Sequence, residues 1–218
     1  MSEEKLRAEP PYRLRRNKVQ GSYSKERIYE LLDTAAICHL AVVEDGLPVV
    51  IPTLYARMGD EILLHGSRAS SVLKAAASQE KVNLVVTLVD ALVLPDNIFD
   101  HTVDYRSVSV AGRARLVNEP VAKARALEHL SRAVLPGRWE QVRGPSDAEL
   151  RQTSVIAVAI EQAAMKFSAT DPEEIDSAAT WTGRIVFGER PVQPEPSKSW
   201  KDSAGAVDPA AIASRFMG

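Results

Sequence analysis

A predicted strand-to-helix junction carries the side chains best suited to chemistry. The stretch His65-Gly66-Ser67-Arg68-Ala69-Ser70-Ser71 joins an imidazole, a glycine, three hydroxyls and a guanidinium, and Lys74 follows one turn later. Hydroxyls and the free N–H groups of a helix start donate hydrogen bonds to phosphate oxygens, and Arg and Lys add positive charge. The spacing therefore indicates an anion site. A capped helix start beside two solvated cations is the alternative.

A strand with two prolines is the second candidate. Residues 46–55 contain Pro48 and Pro52, followed by Thr53 and Tyr55. Each proline removes one hydrogen-bond donor from the strand, which predicts an edge or a bulge with free backbone groups. A planar heterocycle could use those groups. Alternatively, the prolines protect an exposed edge against aggregation.

Two further polar clusters border predicted strands. Asp104-Tyr105-Arg106-Ser107 opens a strong strand, and Trp181-Thr182-Gly183-Arg184 follows a polar loop. The first cluster could project into a cleft, and the tryptophan could stack on a ligand. A surface charge and a core tryptophan are the alternatives.

The elements that position these residues follow one another as helix, β-meander, helix, two strands, helix and strand. Ser24 and the pair Ser146/Glu149 are typical helix caps, Asp45-Gly46 predicts a hairpin, and Gly112 predicts a bulge or a close backbone approach. The order lacks regular β-α-β alternation and has too many strands for a helix bundle. We therefore expect a mainly β fold, a small antiparallel barrel with peripheral helices.

Composition divides the chain into three parts. Residues 1–23 are polar and basic and predict an extended arm, residues 24–188 hold the periodic elements of the barrel domain, and residues 189–218 are rich in Pro and Ser and predict a flexible tail.

Charge and cysteine content exclude several classes of protein. The 218 residues carry 27 Lys and Arg against 29 Asp and Glu, which argues against nucleic-acid binding driven by bulk charge. The single cysteine, Cys38, excludes an internal disulfide framework. No signal-peptide pattern and no apolar run of about 18 residues occurs, so we expect a cytoplasmic protein that does not span a membrane.

Several motifs of catalysis and metal binding are absent. The sequence has no G-x-G-x-x-G, P-loop, G-x-S-x-G, H-E-x-x-H or EF-hand motif, and its four histidines are far apart. We therefore expect no metal site built from a local motif.

Six short motifs in order give the chain its family resemblance. They are D-G-x-P-x-x-x-P-x-x-Y at 45–55, L-H-G-S at 64–67, D-x-x-V-L at 90–94, H-T-x-D-Y-R-S-V at 101–108, P-G-R-W at 136–139 and W-x-G at 181–183. Together they resemble the flavin-nucleotide-binding branch of the pyridoxamine 5'-phosphate oxidase-like split barrels, which includes the nitroimidazole-resistance proteins. The resemblance covers about residues 13 to 188.

This resemblance implies a six-stranded antiparallel split β-barrel that forms a homodimer, with FMN bound in two clefts at the subunit interface. Pro52, Thr53 and Tyr55 are expected beside the isoalloxazine ring. The full set of expected cofactor contacts is Pro52, Thr53, Tyr55, His65, Gly66, Ser67, Arg68, Ser70, Lys74, Ser107, Trp181 and Gly183. Relatives often carry Arg where this chain has Ser71, so either Arg68 or Lys74 supplies that charge or the affinity for phosphate is weaker.

The activity implied by the resemblance is a flavin-dependent oxidoreductase that reduces a small acceptor such as a nitroaromatic, a quinone or oxygen. His65 is the candidate catalytic residue for protonation or substrate polarisation, and a role in holding the cofactor is its alternative. Two other functions stay open. One is a non-catalytic FMN module, and the other is a split barrel that binds haem or a deazaflavin. Vitamin B6 oxidase activity is not expected, because the substrate-phosphate arginines of that enzyme are not matched.

Overall fold

The computed structural model describes residues 4–9, 12–14, 18–95, 97–170 and 182–187. Within these residues, four α-helices and ten β-strands form. The helices are α1 Lys25–Thr34, α2 Ser71–Ser78, α3 Pro120–Val134 and α4 Asp147–Gln152. The strands are β1 Gly21–Ser22, β2 Ile37–Glu44, β3 Leu47–Met58, β4 Glu61–Ser67, β5 Val82–Leu94, β6 Thr102–Gly112, β7 Ala114–Leu116, β8 Thr153–Ala159, β9 Gln162–Ser168 and β10 Gly183–Val186.

The helices begin where side chains cap them. Ser24 accepts a hydrogen bond from the Arg27 N–H before α1. Ser146 and Glu149 form the complete reciprocal capping box that the sequence predicts for α4. The starts of these two helices are therefore fixed by local sequence.

The hairpin between β2 and β3 turns at Asp45 and Gly46, which have φ angles of +52° and +77°. Positive φ at both central residues is the requirement of a type I′ turn, for which Asp-Gly is a favoured pair. The turn sets a register in which Glu44 lies opposite Leu47. The predicted hairpin is confirmed.

The strands pair antiparallel around a closed circuit. β2 pairs with β3, β3 with β4, and β4 with β8. β7 then pairs with β8, β6 with β9, β5 with β6, and β2 with β5. Because β6 continues into β7 and β8 into β9, six long runs form the barrel. The predicted mainly β split barrel is confirmed, although two interrupted runs and the short β1 and β10 raise the strand count to ten.

Gly112 lies where the run of β6 and β7 crosses the bend between β8 and β9. A Cβ atom added to Gly112 would lie 1.7 Å from the carbonyl oxygen of Ala159. Only glycine allows two backbones to approach this closely. The close approach that the sequence predicts is therefore confirmed.

Two apolar clusters lie on opposite sides of the barrel wall. The inner cluster fills the barrel and contains fully buried Ile28, Leu40 and Leu64. The outer cluster packs α3 against β4 and β8 and contains Leu63 and Leu130. Neighbouring residues of β4 thus serve different clusters, as the two-residue period of a strand requires.

The first half of β3 lies at an edge. Residues 47–54 pair with β2 on one side, whereas β4 pairs only with the following residues, from Tyr55 to Met58. Pro48 and Pro52 both lie in this half. The edge position expected from the two prolines is confirmed.

Part of the predicted N-terminal arm lies against the barrel. The Leu6 N–H donates to the Tyr23 carbonyl at 2.8 Å, and the Ala163 N–H donates to the Arg7 carbonyl at 3.0 Å. The predicted Pro- and Ser-rich tail lies outside the described residues. Among those described, no helix has the length and apolar character needed to cross a bilayer.

Candidate functional site

A cleft of about 860 Å³ opens where β4 leads into α2. One wall is the end of β4 and the turn that follows it, and the other wall is the junction of α4 with β8. The lining residues are His65, Gly66, Ser67, Arg68, Ala69, Glu149, Arg151, Gln152 and Thr153. Four of the residues expected to bind a cofactor therefore share one cleft.

The turn at the start of α2 presents two serine hydroxyls. Ser67 Oγ accepts from the Ala69 N–H at 3.1 Å, and Ser70 Oγ accepts from the Leu73 N–H at 3.3 Å as the helix cap. Each hydroxyl keeps its own hydrogen for donation. The donor set thus has the chemistry that a phosphate group requires, although Ser70 itself does not line the cleft.

Gly66 allows α2 to pack close to β4. A Cβ on this residue would lie 2.9 Å from Leu73 Cδ1. Leu73 is buried in the inner cluster and anchors the first turn of the helix. The glycine thus serves the packing of the helix that borders the cleft.

Arg68 and Lys74 supply positive charge near this turn. Both side chains are exposed, and neither forms a salt bridge with another described residue. The Arg68 N–H donates to the Gln152 carbonyl at 2.8 Å and so joins the two walls of the cleft.

His65 extends from the outer face of β4 into the cleft. Solvent reaches the imidazole, but the surrounding walls desolvate it enough to lower its pKa below the usual 6.5. Burial disfavours the charged form, so at neutral pH the ring is neutral. A neutral imidazole can accept a proton or bind a metal ion through nitrogen.

The lowered pKa of His65 predicts a pH-dependent stability. As pH falls below 6.5, the imidazole binds a proton in the unfolded chain before it does so in the folded chain, which favours unfolding. Above that pH both states are neutral and the effect disappears. In urea unfolding at pH 7.5 and 5.5, His65→Gln should therefore lose less stability on acidification than the wild type.

His101→Gln is the control for loss of an exposed imidazole, since the His101 ring lies outside the cleft near the Pro95 carbonyl. Equal acid sensitivity of His65→Gln and the wild type would contradict the prediction.

Pro52, Thr53 and Tyr55 do not lie on one face of β3. Pro52 pairs with His39 on the outer face of the sheet, whereas Thr53 pairs with buried Cys38. Tyr55 is fully buried, and its hydroxyl donates to the Leu32 carbonyl at 2.6 Å. This corrects the expectation that Tyr55 contacts the cofactor, because its ring belongs to the inner core and its backbone N–H donates to the Ala36 carbonyl at 3.0 Å.

Ser107 lies on the outer face of β6. It pairs with Thr87 and Lys166, and its hydroxyl donates to the Lys166 carbonyl at 3.4 Å. Its neighbour Arg106 forms a bidentate contact with Asp90, with Nη2 at 2.6 Å from the carboxylate. Neither Ser107 nor Pro52 lines the cleft beside His65.

Asp104 is buried, although the sequence allowed it to project into a cleft. Its Oδ2 lies 2.7 Å from Arg184 Nη2, and its Oδ1 accepts from the N–H and the hydroxyl of Thr170 at 3.0 and 2.9 Å. The carboxylate joins β6 to β10 and to Thr170, the second residue after β9. Its role is therefore structural.

Gly183 begins β10 and lies opposite Leu94 at the end of β5. Its φ of +153° is a conformation that other residues rarely adopt. Trp181, its expected companion, lies outside the described residues.

The wall formed by α4 and β8 was not identified from the sequence as part of a site. The capping box reveals α4 itself, but no local pattern shows that Arg151, Gln152 and Thr153 face His65. The pairing of β4 with β8, which puts Ser67 opposite Thr153, brings them together. Within the described ranges, no three His, Cys, Asp or Glu side chains cluster as a metal site.

The family model described as pyridoxamine 5'-phosphate oxidase matches residues 24–167, about two thirds of the chain. The chain belongs to this family. No curated protein matches it. In this pyridoxamine 5'-phosphate oxidase family member, the matched range runs from the cap of α1 to the penultimate residue of β9 and so includes all six long runs of the barrel.

Solved structures extend the similarity beyond that range. The flavocytochrome Anf3 from Azotobacter vinelandii is 28% identical, with a TM-score of 0.82 over 96% of this chain and 98% of that one. The FAD and heme binding protein from Mycobacterium smegmatis is 29% identical, with a TM-score of 0.77 over 89% of this chain and 96% of that one. A candidate 5-nitroimidazole antibiotic resistance protein from Bacteroides thetaiotaomicron, 20% identical with a TM-score of 0.58 over 67% and 86% of the two chains, shares the fold.

Proposed function

We propose that this family member is a flavin-nucleotide-binding redox protein that works as a homodimer. The cleft between β4 and α2 is the observation that carries the proposal, because His65, Gly66, Ser67 and Arg68 meet there. The similarity to a flavocytochrome along almost the whole chain supports it. FMN is the nucleotide that the motif resemblance favours.

The flavin phosphate would be held at the start of α2. The hydroxyls of Ser67 and Ser70 can donate to phosphate oxygens, while Arg68 and Lys74 balance the charge. The ring system would then extend toward an apolar surface. By the motif resemblance, Pro52 and Ser107, which lie on the outer face of the sheet, would contact the ring, and Gly183 and Trp181 would close the site.

A second copy of the chain would bring these two surfaces together. Apolar side chains are exposed along the outer face of β2, β3 and β5, namely Ile37, Val43, Val50 and Val89. A sheet face with this many exposed apolar side chains is typical of a protein interface. Since none of these four residues lines the cleft of its own chain, a partner subunit would bring this face to the cleft.

The bound flavin would supply hydride or electron transfer to a small acceptor such as a nitroaromatic, a quinone or oxygen. His65, neutral at pH 7, is suited to take or return a proton near that acceptor. A flavin store without turnover is the alternative, and steady-state reduction faster than that by free flavin separates the two.

Haem binding is a second candidate, and the position of His65 supports it. A neutral imidazole is a common axial ligand of haem iron, and the guanidinium groups of Arg68 and Arg151 in the same cleft can neutralise propionates. Two similar structures, a flavocytochrome and an FAD and heme binding protein, carry the same fold along nearly the whole chain. The donor set of the cleft thus fits either group.

The absorption spectrum of the purified protein tests these assignments, followed by identification of the ligand that acid releases. We expect a flavin spectrum with about one FMN per chain. A Soret band that His65→Ala removes would assign haem to the cleft. Absorption bands shifted from those of a flavin would indicate a deazaflavin. A colourless protein that fails to bind added flavin or haemin would refute the cofactor proposal.

The role of the dimer is tested with Val50→Lys, which puts a charge on the outer sheet face. The variant should sediment as one chain and lose its flavin, while the wild type sediments as two chains. Val121→Lys is a matched control, because Val121 on α3 has the same exposed fraction of 58%. A monomeric wild type with full flavin content would contradict the shared site.

A further inference from the structure

Arg151 is a cation that the motif resemblance does not place in the site, and it lines the cleft opposite the start of α2. It occupies the last turn of α4, and its side chain is exposed. Eight arginines form salt bridges within the described ranges, but Arg68 and Arg151 form none there. Arg68 and Arg151, two of the six described arginines that form no salt bridge, thus border the same cleft.

Backbone pairing brings these two arginines near each other. Ser67 lies opposite Thr153 in the ladder between β4 and β8. The Arg68 N–H continues this ladder by donating to the Gln152 carbonyl at 2.8 Å. Arg151 precedes Gln152 directly, so the two guanidinium groups extend from neighbouring positions on facing segments.

The carboxylate of Glu149 does not neutralise this charge. Its two oxygens lie 2.7 and 2.8 Å from the guanidinium of Arg143, and one of them also accepts from the Ser146 N–H at 2.8 Å. These bonds keep the pKa of Glu149 well below its usual range, so it stays charged and bound to its own partners. The lining of the cleft therefore keeps a net positive charge.

We infer that Arg68 and Arg151 form an arginine clamp for a ligand oxyanion other than a phosphate held at the start of α2. Two guanidinium groups on facing walls suit an anion with several oxygens, which each can bind through a fork of N–H donors. The inference rests on the proposed cofactor site and adds a specificity to it. The oxyanion is either the second phosphate of a flavin dinucleotide or a haem propionate.

The arginine clamp is tested by titrating the wild-type protein and Arg151→Gln with riboflavin, FMN, FAD and haemin. Flavin fluorescence and the Soret absorbance report the dissociation constants. We expect Arg151→Gln to weaken the binding of FAD or of haemin about tenfold. The binding of riboflavin and FMN should change less than about twofold, and Arg151→Lys should recover part of the loss. Weaker binding of FAD would identify the oxyanion as the second phosphate, and weaker binding of haemin would identify it as a propionate.

Arg125→Gln is the matched control, because Arg125 is an exposed arginine of α3 that lies outside the cleft lining. It should leave all four dissociation constants unchanged. Unchanged binding in Arg151→Gln, or an equal loss for riboflavin and FMN, would overturn the arginine clamp and leave the proposed cofactor site standing. A wild-type protein that binds none of the four ligands would overturn both.

Discussion

Replacing Gly112 by alanine should destabilise the barrel by at least about 3 kcal/mol, a large part of the total for a domain of this size. The added Cβ would lie 1.7 Å from the Ala159 oxygen and 2.8 Å from its carbonyl carbon, and both are backbone atoms. Backbone cannot rotate aside as a flexible side chain can. One of the two strands must therefore move.

Hydrogen bonds oppose that movement. The Ala159 N–H donates to the Arg113 carbonyl at 3.0 Å, and the Ile160 N–H donates to the Asp60 carbonyl at 2.9 Å. A shift large enough to admit the methyl group would break bonds that close the barrel. Gly112→Ala should consequently show a much lower urea midpoint, or fail to accumulate as folded protein by circular dichroism.

Gly144→Ala is the control for this experiment. A Cβ on Gly144 meets no atom within 4 Å, so the same substitution should leave the midpoint nearly unchanged. A Gly112→Ala protein as stable as the wild type would show that the two strands can separate without loss.

Asp104→Ala should cost about 3 kcal/mol of folding free energy. The substitution leaves Arg184 without its carboxylate partner and removes the acceptor of the Thr170 N–H and hydroxyl. The Asp104 side chain is 1% exposed, so water cannot replace these bonds without opening the structure. Urea unfolding measures the loss.

A double variant separates loss of the ion pair from loss of packing. Asp104→Leu with Arg184→Met removes both charges and should be more stable than Asp104→Ala, because no charge is left without a partner. Glu128→Ala, which removes an exposed partner of Arg132, is the control and should have little effect. If Asp104→Ala unfolds at the wild-type midpoint, the carboxylate does not hold β10 in place.

Local sequence predicts the elements whose geometry is decided within a few residues. The Asp45-Gly46 turn and the capping box of Ser146 and Glu149 are such cases. Strand β9 was not predicted as a strand of its own, since Gln162–Ser168 contains no β-branched residue. Its conformation follows from pairing with β6, a contact between residues from 51 (Ala111 and Gln162) to 63 (Tyr105 and Ser168) positions apart in sequence.

The candidate site likewise contains residues that local sequence predicts and residues that only long-range pairing brings together. The residues from His65 to Arg68 are consecutive, so a motif can reveal them, and the cleft joins all four. Arg151 reaches that cleft through the pairing of β4 with β8, and the partnership of Asp104 with Arg184 joins residues 80 positions apart. Neither the position of Arg151 nor the ion pair of Asp104 with Arg184 can be predicted from a local sequence pattern. The sequence alone could have separated Pro52 from Thr53 and Tyr55, because successive residues of a strand face opposite sides.

The closed circuit of strands has a consequence for how the chain folds as it is synthesised. The run of β8 and β9 is the last long one, and it inserts between β4 on one side and β7 and β6 on the other. Until residues 153–168 have left the ribosome, the free side of β4 has no neighbour. Pairings between such distant segments slow folding and expose unpaired strand edges meanwhile. We therefore expect chaperones to protect the first 150 residues until the barrel can close.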